Sequence, residues 1–142
     1  MTHAQHTSFT GSIPALYDKH LGPVIFEPFA RDLARRLPTH EGVRVLETAC
    51  GTGIVTRRLL ERLPASAHLV ATDLNPGMLD HARASLPADP RLEYRTADAQ
   101  ALPFPDASFD VVVMQFGIMF VPDKALALRE ARRVLKPGGR LL

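Results

Sequence analysis

The sequence predicts an α/β fold: a mainly parallel, doubly wound sheet with helices on both faces, incomplete at its C-terminal end. Three observations carry this expectation. From Val43 onward, short β-compatible apolar runs alternate with segments of helical spacing. The first run enters its helix through a glycine turn, Ala49-Cys50-Gly51-Thr52-Gly53. Phe109 to Gln115 then forms a near-continuous apolar stretch, suited to the centre of a sheet covered on both sides.

At 142 residues the chain is one domain's worth, with 46% hydrophobic and 23% charged residues, as in soluble globular proteins. Its 17 Lys and Arg are interspersed with 15 Asp and Glu, so the net charge is +2 with no long single-sign run. No nucleic-acid partner is expected from that balance. The single cysteine, Cys50, excludes an internal disulfide, and the six histidines are too scattered for a zinc pattern, so no metal is expected. No apolar run is long enough to span a bilayer, and Met1 to Ser12 lacks the pattern of a signal peptide. Stable membrane insertion is therefore not expected, and a reducing cytoplasm is the expected setting.

Three regions follow. Residues 1–12 are polar and predict a flexible N-terminus. Residues 13–38 predict an interrupted helical segment: a short helix from Pro14 past Tyr17 and His20, a break at Gly22-Pro23, and a second helix to Leu37. Arg31, Arg35 and Arg36 with Asp32 read as its solvated face, with an i,i+4 pair between Asp32 and Arg36. Residues 39–142 predict the Rossmann-like domain itself, lacking its last strands.

Within that domain Val43, Val45 and Leu46 predict the first strand, and Ile54, Val55, Leu59, Leu60 and Leu63 the following helix. Gly51 and Gly53 admit positive φ and close approach of a ligand, and the helix start favours electronegative groups, which points to a nucleotide-like cofactor. Ala67 to Thr72 predicts a second strand ending at Asp73, 20 residues past Gly53. One βαβ unit of that length brings an acid beside the glycine turn, where it can accept hydrogen bonds from two ribose hydroxyls. Asn75-Pro76 supplies a helix cap and first residue, and Met78, Leu79, Ala82 and Leu86 keep helical spacing. Arg91 to Ala97 alternates as a third strand and delivers Asp98 and Ala99 at its carboxyl end, where Asp98 can accept from an exocyclic amine. Asp123 can cap the next helix, Lys136-Pro137-Gly138-Gly139 reads as the turn that ends it, and Arg140-Leu141-Leu142 begins a fifth strand.

Taken together, these segments resemble the class I S-adenosylmethionine-dependent methyltransferases, most of all the small-molecule group that includes ubiquinone/menaquinone-biosynthesis C-methyltransferases. The resemblance runs from about Arg44 to the end. It is carried by Val45-Leu46-Glu47-Thr48-Ala49-Cys50-Gly51-Thr52-Gly53, Ala71-Thr72-Asp73-Leu74-Asn75, Ala97-Asp98-Ala99-Gln100-Ala101-Leu102-Pro103-Phe104 with Phe109-Asp110, and Val134 to Gly139, in that order. It implies S-adenosyl-L-methionine as cofactor and a small-molecule methyl acceptor. Glu47, Ala49, Gly51, Thr52 and Gly53 would lie at the methionine end, Asp73 would hold the ribose, and Leu74 and Met78 would sandwich the adenine. Asp98 and Ala99 would meet the adenine edge, Gln115 and Phe116 would face the sulfonium and acceptor, and residues 13–38 would cover cofactor or substrate, with Tyr17 folding over the cofactor. Ala49 departs from the family, which often has glycine there. No catalytic residue is assigned, because methyl transfer from a sulfonium needs mainly positioning.

Two other readings share part of this pattern. An NAD-dependent oxidoreductase would need a third glycine where this chain has Thr56. A non-catalytic S-adenosylmethionine-binding module would fit a chain without the last strands. The break inside the fifth strand leads us to expect that the 142 residues are a piece of a longer protein. Failing that, a homodimer over the exposed edge would cover it.

Overall fold

The computed structural model describes residues 12–142, apart from the side chains of Ile13, Pro14 and Tyr17. The expected flexible N-terminus, except for Ser12, lies outside the described residues. The N-terminal helical stretch comprises α1 (Ile13–Leu16), a π-helical segment (Tyr17–Phe26) and α2 (Glu27–Arg35). The alternating part follows as β1 (Arg44–Glu47), α3 (Ile54–Arg62), β2 (His68–Asp73), α4 (Pro76–Ser85), β3 (Leu92–Thr96), β4 (Phe109–Val113), α5 (Lys124–Val134) and β5 (Leu135–Leu141). A single 3-10 turn, Ile118–Phe120, lies between β4 and α5.

The expected break at Gly22-Pro23 does not occur. The helix winds through both residues, and the Glu27 N–H donates to the Gly22 carbonyl five residues back. A proline cannot donate into an α-helical ladder, and the wider winding shifts the bonding partners past it. The expected pair is present on the outer face, with Arg36 Nε 2.9 Å from Asp32 Oδ2.

All strand pairings are parallel, in the order β3-β2-β1-β4-β5. Side chains alternate across β1, and each face meets its own helices. Val45 packs with Val111, Val113 and Leu69 against Ala30, Ala34, Val55 and Leu59 of α2 and α3. Leu46 packs with Val70 and Val112 against Ala131 and Val134 of α5. Both faces of the centre are thus dry, which accounts for the unbroken apolar character of β4. Local chemistry sets the helix starts. Asn75 Oδ1 accepts from the Gly77 N–H at 2.8 Å, and Asp123 Oδ1 from the Leu126 N–H at 2.9 Å.

The fifth strand begins earlier than expected. Its pairing with β4 starts at Phe109 opposite Leu135 and resumes at Val111 opposite Arg140. The stretch expected to be a turn, Lys136-Pro137-Gly138-Gly139, is instead a bulge within the strand, with Gly138 at φ +78°. Leu135 is already extended, at φ −74° and ψ 136°, so α5 enters β5 without a separate turn. Lys136 Nζ reaches Asp110 Oδ1 at 3.0 Å and anchors the bulge.

Arg133 organises the proline-rich loop ahead of β4. Its guanidinium donates to the Phe104 and Leu102 carbonyls at 2.8 and 2.9 Å and to Asp106 and Glu130 at 2.8 Å. Glu130 in turn accepts from the Leu102 N–H at 2.9 Å. Replacing Arg133 with Met keeps the stem and removes the donors. We expect a loss of about 1–3 kcal/mol in urea unfolding; an unchanged midpoint would show that the loop holds itself.

Candidate functional site

The corner after β1 builds one wall of the site. The Thr48 N–H donates to the Val113 carbonyl and the Cys50 N–H to the Thr72 carbonyl, both at 2.9 Å, pinning the corner to β4 and β2. Ala49, Gly51 and Gly53 then take φ of +52°, +56° and +89°. The left-handed conformation costs a residue with a Cβ about 1–2 kcal/mol, so the departure at Ala49 sits where glycine would be unstrained. A Cβ at Gly51 would stand in open space, with nothing within 4 Å.

Asp73 joins the corner from the end of β2. Its Oδ2 accepts from the Gly51 N–H and its Oδ1 from the Asn75 N–H, both at 2.9 Å. Burial pushes its pKa up, and the backbone N–H groups of Asn75, Gly51 and Leu74 oppose that by binding the charged form. A carboxylate has about four lone-pair sites, so with three backbone donors in place about one more can be accepted. At the end of β3, Asp98 Oδ1 accepts from the Gln100 N–H at 2.8 Å.

These groups surround one cavity. Its wall includes Ala49, Gly51 and Thr52 from the corner, Asp73, Leu74 and Met78 from β2 and α4, Asp98 and Ala99 beyond β3, and Gln115 and Phe116 beyond β4. Ten of the expected residues are therefore brought together. Phe26, Cys50, Gln100, Phe120 and Pro122 also line it and were not singled out as site residues. Cys50 and Gln100 sit inside the motif segments, whereas Phe26 and Phe120 arrive from elements with no local signal. Burial raises the Cys50 thiol well above its ordinary pKa, and the nearby Glu47 and Asp73 raise it further. It is therefore a packing thiol, not a thiolate nucleophile.

Glu47 and Gly53 do not line this cavity, and the Tyr17 side chain lies outside the described residues. Glu47 is turned into the core, 2% exposed, and its Oε2 accepts from Thr56 Oγ1 at 2.6 Å. The Thr56 backbone N–H donates to the same carboxyl. Glu47 thereby caps α3, whose own N-cap, Gly53, has no side chain to do so. Burial, reinforced by the Asp73 charge, raises its pKa from 4.5 to about 8 against the Thr56 hydrogen bonds. Gly53 lets α3 approach α4: a Cβ there would lie 3.1 Å from both Ala82 Cβ and Leu86 Cδ1.

The opposite wall is strained and aromatic. Phe116 has φ +56°, and its ring lies 5.7 Å from Phe26 and 5.2 Å from Phe29. Gln115 Nε2 donates to the Phe26 carbonyl at 3.0 Å, while its buried Oε1 has no partner. No cluster of three metal-ligating side chains occurs among the described residues, and no helix among them is long and apolar enough to cross a membrane.

A parallel sheet whose central corner and neighbouring strand ends converge on one cavity defines a Rossmann-like ligand-binding domain. The chain belongs to the methyltransferase domain family, whose sequence profile matches residues 46–142. Over 104 residues it is 45% identical to a ubiquinone/menaquinone biosynthesis C-methyltransferase of Hahella chejuensis, covering 71% of this chain and 42% of that protein. It is likewise 45% identical over 101 residues to a demethylmenaquinone methyltransferase of Clavibacter sepedonicus, covering 71% and 40%. Among solved structures, an S-adenosylmethionine-dependent methyltransferase from Mesorhizobium loti has a TM-score of 0.66 at 32% identity, covering 80% of this chain and 49% of that one. The chain spans about two-fifths of the length of the curated relatives it matches.

Two measurements check this geometry. A carboxyl with a raised folded-state pKa contributes its full stability below pH 4.5 and loses it as pH climbs to about 8. The parent should therefore lose stability relative to Glu47→Gln by about 1.4 kcal/mol per pH unit across that window. Parallel pH profiles would show that Glu47 ionises freely. Separately, a Cβ on Gly117 would fall 2.5 Å from Ala49 Cβ. Gly117→Ala should cost about 1–3 kcal/mol in thermal unfolding, and adding Ala49→Gly should recover most of it; additive losses would contradict the contact.

Proposed function

We propose that the chain binds S-adenosyl-L-methionine in this cavity and serves methyl transfer to a small, largely apolar acceptor. The observation that carries this reading is the pair of carboxylates, Asp73 and Asp98, on the wall of the cavity that the glycine corner opens. Asp73 retains acceptor capacity for a ribose hydroxyl, with the Gly51 N–H holding its orientation. Asp98, held by the Gln100 N–H, accepts from the adenine amine. Leu74, 49% exposed, and Met78, 6% exposed, offer apolar surface to the two faces of the base.

The bound sulfonium supplies an activated methyl group, so the residues have to orient the acceptor and exclude water. Phe26, Phe116, Phe120, Val121 and Pro122 form a second apolar stretch of the wall, on the side of Gln115. Met119 and Phe120 stay largely exposed beside it and extend the apolar rim. An uncharged aromatic or aliphatic acceptor suits such a wall. The name of the Hahella relative, a C-methyltransferase of quinone biosynthesis, agrees with it.

Isothermal titration with S-adenosylhomocysteine and, separately, with NAD tests the reading. We expect S-adenosylhomocysteine alone to bind, and Asp73→Ala to weaken it at least tenfold. Preference for NAD, or an affinity untouched by Asp73→Ala, would overturn it.

A further inference from the structure

We infer that Asp18 is a positioning residue for donor binding: through Thr52 and His81 it fixes the spacing between the glycine corner and α4. This rests on the donor-binding reading above. Asp18 lies in the first turn of the π-helical segment. Its Oδ1 accepts from Thr52 Oγ1, and its Oδ2 pairs with His81 Nε2 at 2.7 Å. The partners stand 34 and 63 residues away along the chain. Asp18 and His81 are only 32% and 26% exposed, so the contact is sheltered in a way a surface ion pair is not.

The placement of the two partners makes this more than a fastening for the N-terminal helix. Thr52 lies between the left-handed Gly51 and Gly53, is 8% exposed, and lines the cavity. Fixing its hydroxyl fixes the rotamer of the side chain between the two left-handed glycines. His81 stands three residues past Met78 on α4, so the two share a helix face. A single carboxylate thus spans the corner, where the donor's amino-acid end would lie, and the helix that carries the apolar residue proposed for its base. The N-terminal helical stretch has other anchors, from Arg58 to Glu27 and from Gln115 Nε2 to the Phe26 carbonyl at 3.0 Å. It therefore stays docked when Asp18 is changed, and the effect falls on the spacing of the site.

The test compares parent, Asp18→Ala, Asp18→Asn, His81→Gln and the remote control Asp32→Ala. S-adenosylhomocysteine affinity is measured by calorimetry well below each apo-protein's Tm. We expect Asp18→Ala to weaken binding at least tenfold and His81→Gln about threefold. Asp18→Asn, which keeps an acceptor for Thr52, should recover most of the affinity, and Asp32→Ala should leave it unchanged. If Asp18→Ala does not fold, the Asp18→Asn and His81→Gln double variant replaces it, with a combined loss smaller than the product of the single losses. A parent that binds normally while the Asp18 and His81 variants stay within twofold of it overturns this inference alone. An Asp32→Ala loss as large as that of Asp18→Ala also overturns it, because any loosening of the helix would then suffice. A folded parent that binds no S-adenosylhomocysteine overturns the donor-binding reading and this inference together.

Discussion

Between Glu47 and Ile54 the chain has to leave the middle of the sheet, cross the strand ends and start a helix running back along them. It manages this in a few residues by placing Ala49, Gly51 and Gly53 in the left-handed region. The conformation is held by hydrogen bonds to both neighbouring strands and by the buried Glu47 carboxyl, which binds Thr56 across the turn. With that corner in place, the Gly51 N–H points at Asp73 and the floor of the cavity is set. A looser corner would lose the capping of α3 and the orientation of the acid together.

Glu47 shows how an acid that motif comparison puts beside a ligand can serve the scaffold. Moving a carboxylate into a dry interior is expensive, and the group responds by holding its proton to higher pH. The neutral carboxyl still accepts from the Thr56 hydroxyl, so β1 and α3 stay joined. The charged groups on the cavity wall are then Asp73 and Asp98, each at a strand end and each oriented by backbone N–H groups.

The far wall depends on strain of another kind. Phe116, a bulky residue in the left-handed region, is kept there by the rings of Phe26 and Phe29. Such conformations persist where surrounding packing over-determines them, and they gather at sites that grip ligands. Ala49 and Gly117 meet across the cavity floor, so the corner and the strand-four loop constrain each other directly. The π-helical segment closes the arrangement through contacts near both its ends, to the corner and to Gln115.

Much of this was legible in the sequence wherever the signal was local. The apolar runs of β1, β2 and β4, the caps at Asn75 and Asp123, and the arrival of Asp73 and Asp98 at strand ends follow from short-range patterning and from the fixed length of a βαβ unit. Tertiary structure alone decided the rest. Whether Gly22-Pro23 breaks a helix or is wound through depends on what the helix packs against, and Lys136 to Gly139 bulges because β4 offers a ladder and a partner in Asp110. The meeting of Asp18 with Thr52 and His81 joins residues far apart in the chain, the inward turn of Glu47 depends on the core packed around it, and hydrogen bonding and desolvation act on neighbours in space, which no local pattern records.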